Sequence, residues 1–296
     1  MTKIEKKIPE EFERYLYYYK TQVRRKETVQ RVRNILTGLD VYLQELDITF
    51  CKISIEQVDH FLARYNKNFT PGTSRTYRSH IRKFLKYLYQ EGYIKKDLAP
   101  LVVSPPDFAR SKPPKFLRPN EVQKLFNSLD FSNAKDLRSY AAMHLAYYLG
   151  LRPREIRLIT LDDISFRQKE IFIQTRKNYS PAQLPLPDDT IKAITAYIVG
   201  GRAESEHRTL FLQLIPPYKP VNVCDIPRYV RECMYENNFK ASIYWLRHSY
   251  AQNLLESGAS IYEIKEMMGH KSIDSTRKYL SIHITLMREV ILDETF

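Results

Sequence analysis

The chain has 296 residues, 43% of them hydrophobic, enough for one large domain or two ordinary ones and too many for a disordered protein. Lys and Arg number 47 against 34 Asp and Glu, a formal net charge of +13, which favours nucleic acid over an acidic membrane surface as partner. Neither a membrane span nor a secretion signal is expected, since no apolar run is long enough and Met-Thr-Lys-Ile-Glu-Lys-Lys leads into no apolar stretch. Three cysteines, Cys51, Cys224 and Cys233, lack metal-ligand spacing and are expected to be buried structural thiols in a reducing, cytoplasmic compartment.

From about Pro9 to Tyr93 the apolar spacing predicts four helices. The first carries Phe12, Tyr15, Leu16 and Tyr19, and the second Val32, Ile35, Leu36, Leu39, Tyr42 and Leu43. A short third helix follows Ser54, and the fourth is capped by Thr73 or Ser74 and stopped by Gly92. On the fourth, Arg75, Arg78, Arg82 and Lys86 form a stripe at spacings of three and four. A second cluster holds Arg24, Arg25, Lys26, Arg31 and Arg33. A solvated basic face is the plainer explanation of such stripes, and contact with DNA phosphates is the functional one adopted for this small unit.

Between Asp97 and Pro119 six prolines lie among Ser and Lys, which predicts a linker and not a helix. The expected division is a DNA-binding unit over residues 1–100, a linker over 101–116 and a second domain over 117–296. In that domain Asn120 is expected to cap a helix, and another spans about Ala134 to Leu149, ending at Gly150. Arg152 sits in the joint before a new helix with Pro153 in its first turn. Ile171 to Thr175 alternates as a strand, Gln183 to Leu186 reads as its partner, and the turn between them carries Arg176 and Lys177. Later helices are expected over about 188–198 and 223–236. Tyr244-Trp245-Leu246-Arg247-His248-Ser249-Tyr250 opens a further helix that Gly258 stops, and Ser260 with Glu263 forms a capping box for the next. His270 follows Gly269, and Tyr279 comes nine residues later, so an arginine, a histidine and a tyrosine arrive on three separately oriented pieces of backbone. Such an arrangement can converge on one small anion.

Gly150-Leu151-Arg152-Pro153-Arg154-Glu155, the Leu246-Arg247-His248-Ser249-Tyr250-Ala251 run, Gly269-His270 and Tyr279 together resemble the tyrosine recombinase (phage-integrase, Xer-like) family. The resemblance runs from about Leu117 to Tyr279, with the N-terminal helices similar to that family's core-binding domain. It implies a mostly α fold, with a four-helix, SAM-like core-binding domain and an α+β catalytic domain holding a small β-sheet. It also implies a site of Arg152, Lys177, Tyr244, Arg247, His270 and Tyr279, with Arg176 the rival to Lys177. Tyr244 stands where the family usually has histidine. It is expected to point into the site, where a hydroxyl can donate a hydrogen bond but not carry positive charge. His248 is expected to pack and not to catalyse.

The implied reaction is cleavage and rejoining of DNA through a 3′-phosphotyrosyl link, with Tyr279 as nucleophile and no cofactor or metal. The implied partners are double-stranded DNA and a homo-tetramer on two sites. The apolar segment from Ile284 to Leu292 is expected to dock on a neighbouring subunit, with packing on its own domain the alternative. The rival readings are a type IB topoisomerase-like or telomere-resolving activity, and a DNA-binding relative with a weakened site.

Overall fold

The computed structural model describes residues 8–22, 26–104, 114–174, 181–270, 272–273, 275–277 and 279. The chain divides into two compact units, 1–110 and 111–296.

The first unit is built from α1 (Glu10–Gln22), α2 (Lys26–Glu45), α3 (Ile55–Tyr65) and α4 (Pro71–Gln90). The apolar positions that predict these helices are the ones buried: Phe12, Tyr15, Leu16 and Tyr19 on α1, and Val32, Ile35, Leu36 and Leu39 on α2. Phe12 meets Phe84 edge-on at 4.7 Å, so an aromatic pair joins the first helix to the last. Ser54 caps α3 as expected, with Gln57 completing the box. Helix α4 starts earlier than Thr73. Thr70 is the cap and Pro71 takes the first turn, where its missing N–H costs nothing. Gly92 closes it with φ +75. The proline-bearing stretch is also ordered further than its composition suggests. A 3-10 turn, Ala99–Leu101, packs on α4, and Leu98, Ala99 and Val102 are buried in the same core.

The second unit is organised around α6 (Ala134–Tyr148), which α8 (Asp188–Gly200), α9 (Asp225–Glu236) and α10 (Ile243–Glu256) cover. Before α6 comes α5 (Pro119–Asn127), whose cap is Arg118 and not Asn120. After α6 come α7 (Pro153–Leu158) and an antiparallel sheet, β1 (Ile164–Ser165), β2 (Glu170–Ile173) and β3 (Ala182–Pro185), in that order. Ile171 pairs with both Ile164 and Leu184, and Ile171 and Ile173 are buried while Phe172 between them faces out. The two-residue β1 is too short to have shown a period in the sequence. After α10 comes α11 (Ile261–Met267), capped by Ser260 with Glu263. Only Cys233 of the three cysteines is buried; Cys51, in the 3-10 turn Phe50–Lys52, and Cys224, the residue before α9, are exposed, against expectation.

Candidate active site

Arg152 is the residue before α7, in extended conformation (φ −76, ψ 148) with Pro153 holding the first turn. Its own N–H donates to Glu155 Oε2 at 2.8 Å and its Nη1 to Glu155 Oε1 at 2.7 Å, so the cap and the side chain are held by one carboxylate. Its Nη2 reaches across 117 residues to the Gly269 carbonyl at 2.9 Å.

Arg247 lies on α10 and is only 4% exposed. It donates to the Gly150 carbonyl, to the Met268 carbonyl at 2.7 Å, and stands 3.3 Å from His270 Nε2. Its Nη1 is 3.9 Å from the other oxygen of Glu155. Glu155, itself 4% exposed, therefore lies between the two guanidinium groups and offsets part of their repulsion. The sequence shows Glu155 only as a helix-cap acid; nothing in its spacing signals the second arginine.

Both guanidinium groups thus grip the Met268–Gly269–His270 turn, where Gly269 adopts φ +60. His270 is fixed from the other side by Thr276 Oγ1, 2.8 Å from Nδ1. Thr276 is fully buried and carries no signal in the sequence beyond its place three residues before Tyr279.

Tyr279 is 1% exposed, packed among Ala251, Leu255, Ile264 and Met268, with the His248 ring edge-on at 5.8 Å. Burial pushes its phenol up to about 12, while the charges of Arg247 and then Arg152 pull it back, so the hydroxyl lies within their field. Two cations, an imidazole and a phenol are together over one turn of backbone, an arrangement suited to a tetrahedral oxyanion.

Of the remaining candidates, His248 bonds the Lys115 carbonyl at 2.9 Å and packs on Tyr279. Tyr244 is 49% exposed, and among the described residues its hydroxyl meets no partner. It lies one turn ahead of Arg247, in the first turn of α10. Lys177, Arg176, Arg24, Arg25 and the segment from Ile284 to Leu292 lie outside the described residues. In the first unit, Arg78 Nη1 donates to the Val103 carbonyl at 3.0 Å, and Arg82 binds the Val102 carbonyl. Lys86 is exposed and Arg75 half-buried on the same helix.

The phage integrase family model matches residues 115–284, more than half of the chain. A tyrosine recombinase of Thermosipho africanus is 29% identical over 238 residues, covering 78% of this chain and 81% of that protein. The y4rF protein of Sinorhizobium fredii is 29% identical over 254 residues, 84% of this chain, but the chain spans only 59% of its length. Among solved structures, the XerH site-specific recombinase bound to palindromic difH substrate in a post-cleavage complex superposes with a TM-score of 0.73. It shares 15% identity, over 95% of this chain and 83% of that one, so the likeness is one of fold. The order of the converging residues and the span of the match agree: the chain belongs to the phage integrase family, the tyrosine recombinases.

Proposed function

We propose that the protein is a site-specific DNA recombinase that cuts and rejoins strands through a 3′-phosphotyrosyl intermediate. The observation that carries this reading is the gathering of Arg152, Arg247, His270 and Tyr279 around the Met268–His270 turn. Phosphoryl transfer asks mainly for positioning and for cations on the non-bridging oxygens, which paired arginines supply better than lysines. Arg152 and Arg247 take that role, with their carbonyl partners giving way to phosphate oxygens. Tyr279 Oη attacks phosphorus, the bond to the 5′ oxygen breaks, and Lys177 protonates the leaving 5′ oxygen. His270 accepts or relays the phenol proton, and Tyr244 donates a hydrogen bond to the phosphate. The phosphodiester energy is kept in the new link, so a 5′-hydroxyl reverses the step without a nucleotide. Duplex DNA is bound by the N-terminal unit, through Arg75 and the exposed Lys86 of α4 and through Arg24 and Arg25. Four copies assemble on two sites through the C-terminal segment, and removing residues after Thr285 is expected to abolish cooperative assembly.

The test is covalent trapping. Binding sites are first selected from a random duplex pool, then rebuilt with a nick that lets the cleaved end diffuse away. The wild type is expected to give an adduct that survives SDS, and Tyr279→Phe, which removes one oxygen from a packed ring, is expected to lose it. DNA binding with no adduct would instead support a relative with an idle site, the reading that a tyrosine at 244, where the family usually has histidine, favours.

A further inference from the structure

The cation stripe on α4 is not uniform in the folded chain. Lys86 is exposed, whereas Arg78 and Arg82 are turned toward residues 102–104. Arg82 donates to the Val102 carbonyl from both Nε (3.2 Å) and Nη2 (2.7 Å), and Nη2 also meets Ser104 Oγ at 3.2 Å. Arg78 donates to the Val103 carbonyl at 3.0 Å and stands 3.6 Å from Asp59 on α3. Two successive carbonyls and a hydroxyl are thus taken up by two guanidinium groups.

The reason lies in the backbone. Past the 3-10 turn the chain runs without a ladder partner, yet Val102 is 1% exposed and its carbonyl needs a donor. A guanidinium suits this because adjacent N–H groups of one rigid fork can meet a single carbonyl while the stem packs along the helix. A guanidinium can bind a phosphate at two points through Nε with Nη2 or through Nη1 with Nη2, and in Arg82 the first pair is engaged and Nη2 is common to both.

We infer that Arg78 and Arg82 are positioning residues that hold the chain on the N-terminal unit through Ser104, and are not contacts to DNA phosphates. Sequence spacing alone groups them with Lys86, which is exposed; their backbone partners set them apart from it. The inference extends the DNA-binding reading above, but half of its test is independent of DNA.

The experiment compares Arg82→Lys, Arg82→Gln and Lys86→Gln in the full chain. Residue-resolved amide exchange is followed at Leu101 and Val102, whose N–H groups close the 3-10 turn on Leu98 and Ala99. Affinity for a selected duplex is measured across a salt series. Loss of the fork is expected to speed exchange at both amides by roughly tenfold or more. Both Arg82 variants should show this, since lysine keeps the charge and lacks the fork. The slope of log affinity against log salt should be unchanged in the Arg82 variants and become less steep by about 0.9 in Lys86→Gln, the loss of one phosphate contact. Wild-type exchange in Arg82→Lys, or a slope less steep by about 0.9 in Arg82→Gln, would overturn the inference. A wild-type chain that bound no DNA would count against the recombinase reading only, with the exchange comparison still deciding the anchor.

Discussion

At the Tyr279 phenol two opposing effects meet, and burial wins over the two arginines, leaving it raised to about 12. The folded value lies above the ordinary value of about 10, so the contribution to stability is complete below pH 10 and is lost as pH rises toward 12. Two units correspond to about 2.7 kcal/mol. Tyr279→Phe should therefore lose less stability than the wild type between pH 10 and pH 12, as read by urea unfolding; parallel curves for the two proteins would show that the ring is not held neutral by the fold. His144 gives the acid counterpart. Both its nitrogens are buried without partners among Phe126, Tyr140 and Tyr148, and burial holds it down to about 4, with Asp189 pulling weakly the other way. A depressed histidine contributes stability above its unfolded value of about 6.5, lost as pH falls toward 4. His144→Phe is expected to flatten that limb and to add about 1 kcal/mol at pH 7, since no hydrogen bond is lost. A variant less stable at neutral pH would contradict this.

Among the elements, the α6–α7 joint has the least room for change. Gly150 takes φ +59, and a Cβ there would stand 2.3 Å from Tyr250 Cδ1 on α10. Gly150→Ala is expected to cost about 3 kcal/mol through backbone strain and overpacking together. Because the Gly150 carbonyl also accepts from Arg247, the same change should weaken covalent trapping beyond what lost stability explains, measured under conditions where the variant stays folded. Ser249 ties the same helix to the start of the second unit, accepting from Leu117 N–H at 2.9 Å and donating to the Leu117 carbonyl at 2.7 Å. The arginine that reaches the turn and the serine that fastens the entering chain thus sit two residues apart on α10. The site inherits its rigidity from the packing of that helix on α6.

For the molecule as a whole, a net charge of +13 predicts that the proposed binding of DNA weakens with salt. If six to ten phosphates are contacted, raising salt from 50 to 200 mM should weaken binding by roughly 10³ to 10⁵. A flat salt response would remove duplex DNA as the partner. Helix identity, most caps and the order of Arg152, Arg247, His270 and Tyr279 were legible in the sequence because each rests on neighbours within one or two turns. The cap of α4 is Thr70 and neither Thr73 nor Ser74, because Pro71 takes the first turn and so sets the start of the helix ahead of both.

What only the tertiary structure decided is the partner of each polar side chain. Glu155 standing between two arginines, Thr276 on His270, and Arg82 on a carbonyl twenty residues away depend on contacts between distant segments. Residue type fixes what a group can donate or accept, but not which group the fold brings within 3 Å of it. The sequence therefore determined that cations, a histidine and a tyrosine come in the family's order. Folding alone determined which of those cations surround the tyrosine, and which are taken up in holding the chain together.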